Sequence, residues 1–206
     1  MVESIYETDC RPGHKPYFCI MLLHIIGASC SGTTTLGQHL SARLSRAFFD
    51  TDDFFWEPTD PPFRIRRNPE VRNQLLAAAL EAHPDAIISG SLLGWGEGWK
   101  PDAAVFLWIP ADIRLERLKA RELQRYGPEA LTAPDRREAF EAFLTWAAQY
   151  DDPAFTGRSR RRQEEWLATL GCPVLKILGD TSVAERVECV TAWLTMLSGA
   201  PANTLP

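Results

Sequence analysis

The segment FCIMLLHIIGASCSGTTT, residues 18–35, decides the fold of this chain. Residues 18–26 form an apolar run with His24 inside it, which is typical of a parallel strand that is buried on both faces. The run ends at Gly27, and a helix is predicted over residues 33–45 because leucine recurs at every fourth position. The segment therefore predicts a buried strand, a tight turn and a helix.

The turn fits the phosphate-binding pattern G-x-x-x-x-G-K-[ST] at every defined position except the lysine, which is Thr33. Backbone N–H groups of such a turn converge with the helix N-terminus on one point, where phosphate oxygens can bind. Thr34 stands where a hydroxyl would coordinate Mg²⁺. The alternative is a plain strand-to-helix turn with a good N-cap. We predict that the following residues bind the nucleotide: Gly27, Ala28, Ser29, Cys30, Ser31, Gly32, Thr33, Thr34 and Thr35.

Strands and helices alternate along the rest of the chain. Further strands are predicted at residues 47–50, 86–89, 103–109 and 174–178, and further helices begin near residues 69, 112, 135, 159 and 182. The Asp-, Pro- and aromatic-rich residues 51–67 are predicted to form a loop. Right-handed crossovers place helices on both faces of a parallel sheet, so we predict a three-layer α/β/α domain over residues 17–198. Residues 1–16 and 199–206 are predicted to be tails.

A cluster of acidic residues, Asp50, Asp52 and Asp53, follows the second predicted strand. This is the carboxyl edge of the sheet, where ligands of such folds bind. One carboxylate there can hold Mg²⁺ through water, and another can orient or deprotonate an acceptor hydroxyl. The alternative is a solvated acidic turn. The acidic cluster lies one strand from the predicted phosphate-binding turn, which we call the phosphate loop, and this position favours a functional role.

The loop from Gly27 to Thr34, followed by Phe49-Asp50-Thr51-Asp52, resembles the shikimate-kinase and adenylate-kinase branch of P-loop kinases. Those families carry D-x-D at the end of the second strand. The resemblance extends in the order of elements over about residues 18–198. Thr33 departs from the pattern, but the Gly-Thr-Thr-Thr sequence is similar to that of a group of bacterial adenylate-kinase-like proteins with the same substitution.

The resemblance implies a P-loop NTPase fold with strand order 2-3-1-4-5 and a mobile helical lid over about residues 126–162. It also implies that Asp50 assists Mg²⁺ and that Asp52 contacts the acceptor, with Asp53 as a further candidate. In such kinases, arginines after the fourth strand border the adenine and enter the lid. Arg117 then contacts the nucleotide and Arg121 takes part in catalysis, although a solvated helix face carries the same pattern.

The predicted helix near residue 159 starts within an arginine-rich run, Arg158-Ser159-Arg160-Arg161-Arg162. The helix dipole disfavours cations there, and a bound anion would offset that cost. Arg158 and Arg161 are therefore candidates for stabilising the phosphoryl group in transfer, in place of the missing lysine. Lys100 is a weaker candidate for the same task.

Residues 89–100 form a loop rich in glycine and tryptophan. Trp95 and Trp99, together with Trp56, could wall a pocket for the acceptor, because aromatic faces stack on bases and apolar rings. The alternative is that these tryptophans only pack against the lid helices.

Composition limits the partners of the chain. The 206 residues carry 27 acidic and 22 basic side chains, a net charge of −5, which argues against nucleic-acid or anionic-membrane partners. The five cysteines include no CxxC pair, and the chain does not begin with a signal-peptide pattern. We expect a cytoplasmic protein that is a monomer or a homodimer.

These features predict an ATP- and Mg²⁺-dependent phosphotransferase that acts on a small molecule, either a nucleoside or nucleotide or a cyclic hydroxylated metabolite. One alternative is a nucleotide-binding sensor or partner module that lost catalysis together with the lysine. A second alternative is an NTP hydrolase, which would turn over without an acceptor.

Overall fold

The structure, a computed structural model, describes residues 21–60, 62–96, 98–128 and 132–198. The predicted tails and the first residues of the predicted opening strand lie outside these ranges. The described residues form one parallel sheet of five strands: β1 (Leu23–Gly27), β2 (Phe48–Asp50), β3 (Ile87–Ser89), β4 (Ala103–Trp108) and β5 (Val174–Leu178). The strand order is β2-β3-β1-β4-β5, so the order implied by the resemblance is confirmed.

The described part of the chain also contains seven α-helices and one short 3₁₀ turn, Gln149–Asp151. The helices are α1 (Thr33–Leu44), α2 (Thr51–Phe55), α3 (Pro69–Ala82), α4 (Ala111–Tyr126), α5 (Pro134–Ala148), α6 (Arg160–Thr169) and α7 (Val183–Leu197). Several of these helices begin at a residue whose side chain caps the first turn. Asn68 caps α3, Ser159 caps α6, and Ser182 forms a capping box with Glu185 at α7.

Helices cover both faces of the sheet. On one face, α1 and α7 pack Leu36 and Trp193 against the strands. On the other face, α3 and α6 contribute Leu76 and Leu167. All residues of β1 are buried, as expected for a central parallel strand with both faces covered. The predicted three-layer α/β/α class is therefore confirmed.

The segment after β2 differs from the prediction of a loop over residues 51–67, because its first five residues form α2. Asp50 is the N-cap of this helix, and its Oδ1 accepts a hydrogen bond from the backbone N–H of Asp52 at 3.0 Å. An aspartate in extended conformation at this position satisfies an otherwise free N–H group of the first turn. The acidic cluster is thus held by a helix start rather than by an irregular loop.

Arg114 lies on α4 one helical turn before Arg117, and its side chain is buried, with 1% exposed. Its Nη2 lies 2.6 Å from Asp151 Oδ2, its Nε donates to the Ile109 carbonyl, and its guanidinium stacks on the Tyr150 ring. Burial of an arginine requires such pairing. Arg114 therefore ties the segment after α5 to the carboxyl end of β4.

Candidate active site

The phosphate loop, Gly27 to Thr34, connects the carboxyl end of β1 to the first turn of α1. Gly32 adopts φ 93° at the N-cap of α1, a conformation that favours glycine. A Cβ atom on Gly27 would lie 2.5 Å from the Leu107 carbonyl oxygen, so only glycine lets the loop leave the sheet this closely. The glycine spacing noted in the sequence thus has a steric basis at both ends of the loop.

Two arginines hold the phosphate loop from distant parts of the chain. Arg158 Nη2 donates to Ser29 Oγ at 3.0 Å, and Arg186 Nη1 donates to the Ser31 carbonyl at 2.9 Å. Arg186 is buried on α7, whereas Arg158 immediately precedes Ser159, the N-cap of α6. The loop that lacks the usual lysine therefore lies between two guanidinium groups.

Asp50 connects the phosphate loop to the acidic cluster. Its Oδ2 accepts a hydrogen bond from Thr34 Oγ1 at 2.7 Å and a longer one from Ser89 Oγ at 3.4 Å, while its Oδ1 caps α2. These contacts join the end of β2 to the first turn of α1, the end of β3 and the first turn of α2. The carboxylate is therefore fixed beside the Thr34 hydroxyl.

Asp52 and Asp53, the other two carboxylates of the cluster, both have a raised pKa. Burial, and then the charge of Asp50, raise the pKa of Asp52, while the charges of Arg158 and Arg121 oppose the rise. The pKa of Asp53 is raised for the same two reasons. A carboxylate whose pKa is raised toward neutrality is a better proton acceptor.

A single cavity of about 1180 Å³ joins the phosphate loop to the acidic cluster. Most of the residues predicted to form the site line it: Gly27, Ala28, Ser29, Cys30, Gly32, Thr33, Thr34, Thr35, Asp50, Asp52, Asp53, Trp56, Trp95, Arg117, Arg121 and Arg158. Ser31, Trp99 and Arg161 do not. Ser31 is buried, and its carbonyl faces Arg186.

Two predicted residues have other contacts. Arg161 pairs with Glu165 at 2.9 Å one helical turn away and donates to the Pro153 carbonyl, so it braces the start of α6. Trp99 packs in the hydrophobic cluster under α3. Trp95 belongs to the same cluster, yet it also reaches the cavity.

The two arginines of α4 lie at different places on the cavity wall. Arg117 Nη2 pairs with both carboxylate oxygens of Asp180, at 2.8 and 3.0 Å, just beyond the end of β5. Arg121 lies 3.5 Å from Glu122, and its Nε is buried without a hydrogen-bond partner. Such a donor is costly to bury unless something else pairs with it.

The sequence interpretation missed several cavity residues. Arg186 lies in the predicted last helix and is not among the predicted site residues. It closely follows Asp180-Thr181-Ser182, which comes directly after β5 at the same edge of the sheet as the phosphate loop. That edge position was an available signal. Arg66, Arg125 and Arg136 carried no such signal, because each lies in a segment whose place in space depends on the packing of the whole domain.

A family model described as an AAA domain matches residues 24–139. The chain belongs to this AAA-domain family. The uncharacterized protein YqaC of Bacillus subtilis (strain 168) is a relative that is 47% identical to this AAA-domain protein over 175 residues. The match covers 84% of this chain and 97% of the relative.

Several solved structures similar to this AAA-domain protein are kinases. The deoxyadenosine kinase of M. mycoides with bound dATP has a TM-score of 0.53 at 12% identity, covering 85% of this chain and 100% of that one. The shikimate kinase of Aquifex aeolicus has a TM-score of 0.45 at 19% identity, with coverages of 88% and 100%. The first similarity shows that the AAA-domain protein has the fold of P-loop kinases. None of the helices in the described ranges combines the length and apolar composition needed to span a membrane.

Proposed function

We propose that this AAA-domain protein is a phosphotransferase that moves the γ-phosphoryl group of ATP to a small-molecule acceptor. The observation that carries the proposal is the 2.7 Å hydrogen bond from Thr34 to Asp50, which joins the phosphate loop to the acidic cluster inside one cavity. A phosphoryl transfer needs mainly positioning and electrostatic stabilisation, and this arrangement supports both.

Thr34 and Asp50 fit a magnesium site of the kind found in phosphotransferases. The described residues contain no group of three or more His, Cys, Asp or Glu side chains able to hold a metal alone. Mg²⁺ is usually bound by one or two protein oxygens together with phosphates and water, so the hydroxyl and carboxylate here suffice. When bound, the ion would neutralise charge on the phosphates.

Asp52 is our candidate for the base. It lies in the cavity next to the N-cap residue Asp50, and its raised pKa suits it to accept a proton. When the acceptor is a hydroxyl, its proton passes to the Asp52 carboxylate as its oxygen bonds to the γ-phosphorus. The bond from that phosphorus to the ADP oxygen then breaks.

Arg158 and Arg121 are our candidates for stabilising the transferring group. Arg158 reaches the phosphate loop through Ser29, and its guanidinium also lies 5.0 Å from the centre of the Trp146 ring. Arg121 presents a buried Nε without a partner in the same cavity. Guanidinium groups grip phosphate through two N–H groups at once, which a threonine at position 33 cannot do.

Thr33 also favours a second candidate function, a nucleotide-binding sensor without catalysis. The two functions differ in turnover. Calorimetric titration of the protein with ATP and Mg²⁺ measures binding, and a coupled assay measures ADP release with and without nucleosides, nucleotides, shikimate or gluconate. A phosphotransferase releases ADP only with an acceptor, a hydrolase releases it without one, and a sensor binds ATP without releasing ADP.

A matched pair of variants tests the central contact. Thr34→Val removes the hydroxyl that meets Asp50, and should weaken Mg²⁺-dependent ATP binding about tenfold or more, as expected for loss of a hydrogen bond near charge. Thr145→Val removes a hydroxyl that binds only its own helix on the exposed side of α5, and should change nothing. Equal ATP affinity in the two variants would contradict the assignment of Thr34.

A further inference from the structure

Three arginines at the cavity wall stack on aromatic rings. Arg125 lies 4.6 Å from the centre of the Phe63 ring, Arg136 lies 4.8 Å from that of Tyr126, and Arg66 lies 5.9 Å from those of Phe55 and Trp56. All three arginines line the cavity. We call these arginines and their rings the rim.

The rim lies where two parts of the chain meet. Phe63 and Arg66 belong to the segment between α2 and α3, whereas Arg125 is in the last turn of α4 and Arg136 in the first turns of α5. The Tyr126 hydroxyl donates to the Pro62 carbonyl at 3.4 Å, which closes the same junction. The rim therefore joins the segment after α2, which follows the acidic cluster in the chain, to the end of α4 and the start of α5.

The rim arginines are weakly neutralised. Among the described residues, no carboxylate forms an ion pair with Arg66 or Arg136, and the contact of Arg125 with Glu122 is 3.6 Å long. Burial, and then the charge of Arg66, lower the pKa of the nearby Arg72 guanidinium. The charge of Arg66 therefore acts on Arg72, and no carboxylate within the described ranges forms an ion pair with either, which favours a bound anion nearby.

Stacking on a ring leaves the N–H edges of a guanidinium free. The flat face of the group contacts the aromatic ring, while its donors point outward in the plane and can grip two oxygens of a phosphate or carboxylate. A carboxylate partner within the protein would occupy those same donors. The rim holds its arginines in place and keeps their donors available.

Two other arginines hydrogen-bond to the phosphate loop, although the charge of Arg125 also acts on Cys30 of that loop. Arg158 binds Ser29 and Arg186 binds the Ser31 carbonyl, so the nucleotide phosphates already have cationic partners outside the rim. Among the described residues that line the cavity, eight are arginines and only four are carboxylates, although the whole chain has a net charge of −5. This excess of positive charge includes the three rim arginines.

We infer that the rim binds an oxyanion carried by the acceptor, so that the second substrate is a phosphorylated or carboxylated small molecule rather than a neutral sugar or nucleoside. This inference rests on the proposed phosphotransferase function and names the chemical class of its acceptor. The rim fixes the anionic end of the acceptor and leaves its reacting oxygen toward Asp52.

Pairs of compounds that differ by one anionic group test the inference: adenosine and AMP, thymidine and TMP, glucose and glucose 6-phosphate, and glucose and glucuronate. Each is titrated by calorimetry into the full chain, with and without saturating ADP and Mg²⁺. At least one anionic member should bind about tenfold or more tightly than its neutral partner, as expected for one charged hydrogen-bonded pair. Preference for the phosphate or the carboxylate members identifies the oxyanion.

Two neighbouring arginines of α5 form a matched pair of variants. Arg136→Gln removes a rim guanidinium and should reduce the anionic preference about tenfold with little change in ATP affinity. Arg137→Gln removes an exposed guanidinium that pairs with Glu141 outside the cavity, and should leave both values unchanged. Arg66→Gln, in an exposed segment, repeats the test at a second rim position if Arg136→Gln folds poorly.

Three results would overturn the inference: equal binding of neutral and anionic members, no binding of any anionic member at millimolar concentration, or loss of ATP affinity rather than of anionic preference in the rim variants. The last result would assign the rim to the nucleotide. Failure of the proposed function is seen separately, because it appears as absence of ATP binding or of ADP release in the wild-type chain, while the anionic preference is measured by binding alone.

Discussion

Arg186→Met should destabilise the protein because it removes the buried cation that ties α7 to the phosphate loop. The Arg186 side chain is 4% exposed and donates to the Ser31 carbonyl at 2.9 Å, to Thr181 Oγ1 at 3.0 Å and to Asp180 at 3.4 Å. Methionine retains much of the apolar stem, so packing is largely preserved while the three donors are lost.

The expected loss follows from these contacts. The two short bonds from a charged donor contribute about 1.5 kcal/mol each, and their partners at the loop lose a donor in a buried place. The longer contact adds little, since Asp180 is partly exposed and also pairs with Arg117. We expect the free energy of unfolding to fall by about 3 kcal/mol, which lowers Tm by about 6–12 °C in a chain of this size.

Urea unfolding monitored by tryptophan fluorescence measures the change, because the chain has seven tryptophans. The control is Arg137→Met, which removes one exposed i,i+4 pair on α5 and should change the free energy of unfolding by less than about 0.5 kcal/mol. A decrease below about 1 kcal/mol for Arg186→Met, or an equal decrease in the control, would refute the reasoning that this buried arginine holds the loop.

Three further outcomes are expected. Asp52→Asn should raise Tm at pH 7 and lower ADP release. Because the folded state raises the pKa of the Asp52 carboxyl, this group contributes stability below its unfolded pKa that is lost as pH rises through the folded pKa. The charged carboxylate is therefore unfavourable at pH 7, and a lower Tm of the variant would contradict this reasoning. Burial lowers the pKa of His24 to about 4, so the free energy of unfolding measured in urea should fall as pH drops below about 6.5, by up to about 1.4 kcal/mol per pH unit. His24→Leu should reduce this slope, and an unchanged slope would contradict the reasoning. Gly27→Ala places a Cβ 2.5 Å from Leu107 O and should cost about 1–3 kcal/mol by calorimetry, so an unchanged Tm would contradict the close approach.

The sequence alone was enough for the parts of the protein that depend on local pattern. The apolar run before Gly27, the glycine spacing and the recurring leucines after Thr33 determine a buried strand, a turn and a helix, because each signal lies within a few residues of the next. The alternation of such units constrains the layers and the handedness of the sheet, and the carboxyl edge then follows as the place of the site.

Only the tertiary structure decided which side chains meet at that edge. Arg158 binds Ser29 across 129 positions and Arg186 binds Ser31 across 155, whereas Arg114, which shares a helix with Arg117, is buried and does not line the cavity. A charged side chain on a helix has the same local pattern whether it faces solvent, a carboxylate or a ligand. Its partner depends on how the whole domain packs, and no short stretch of sequence contains that information.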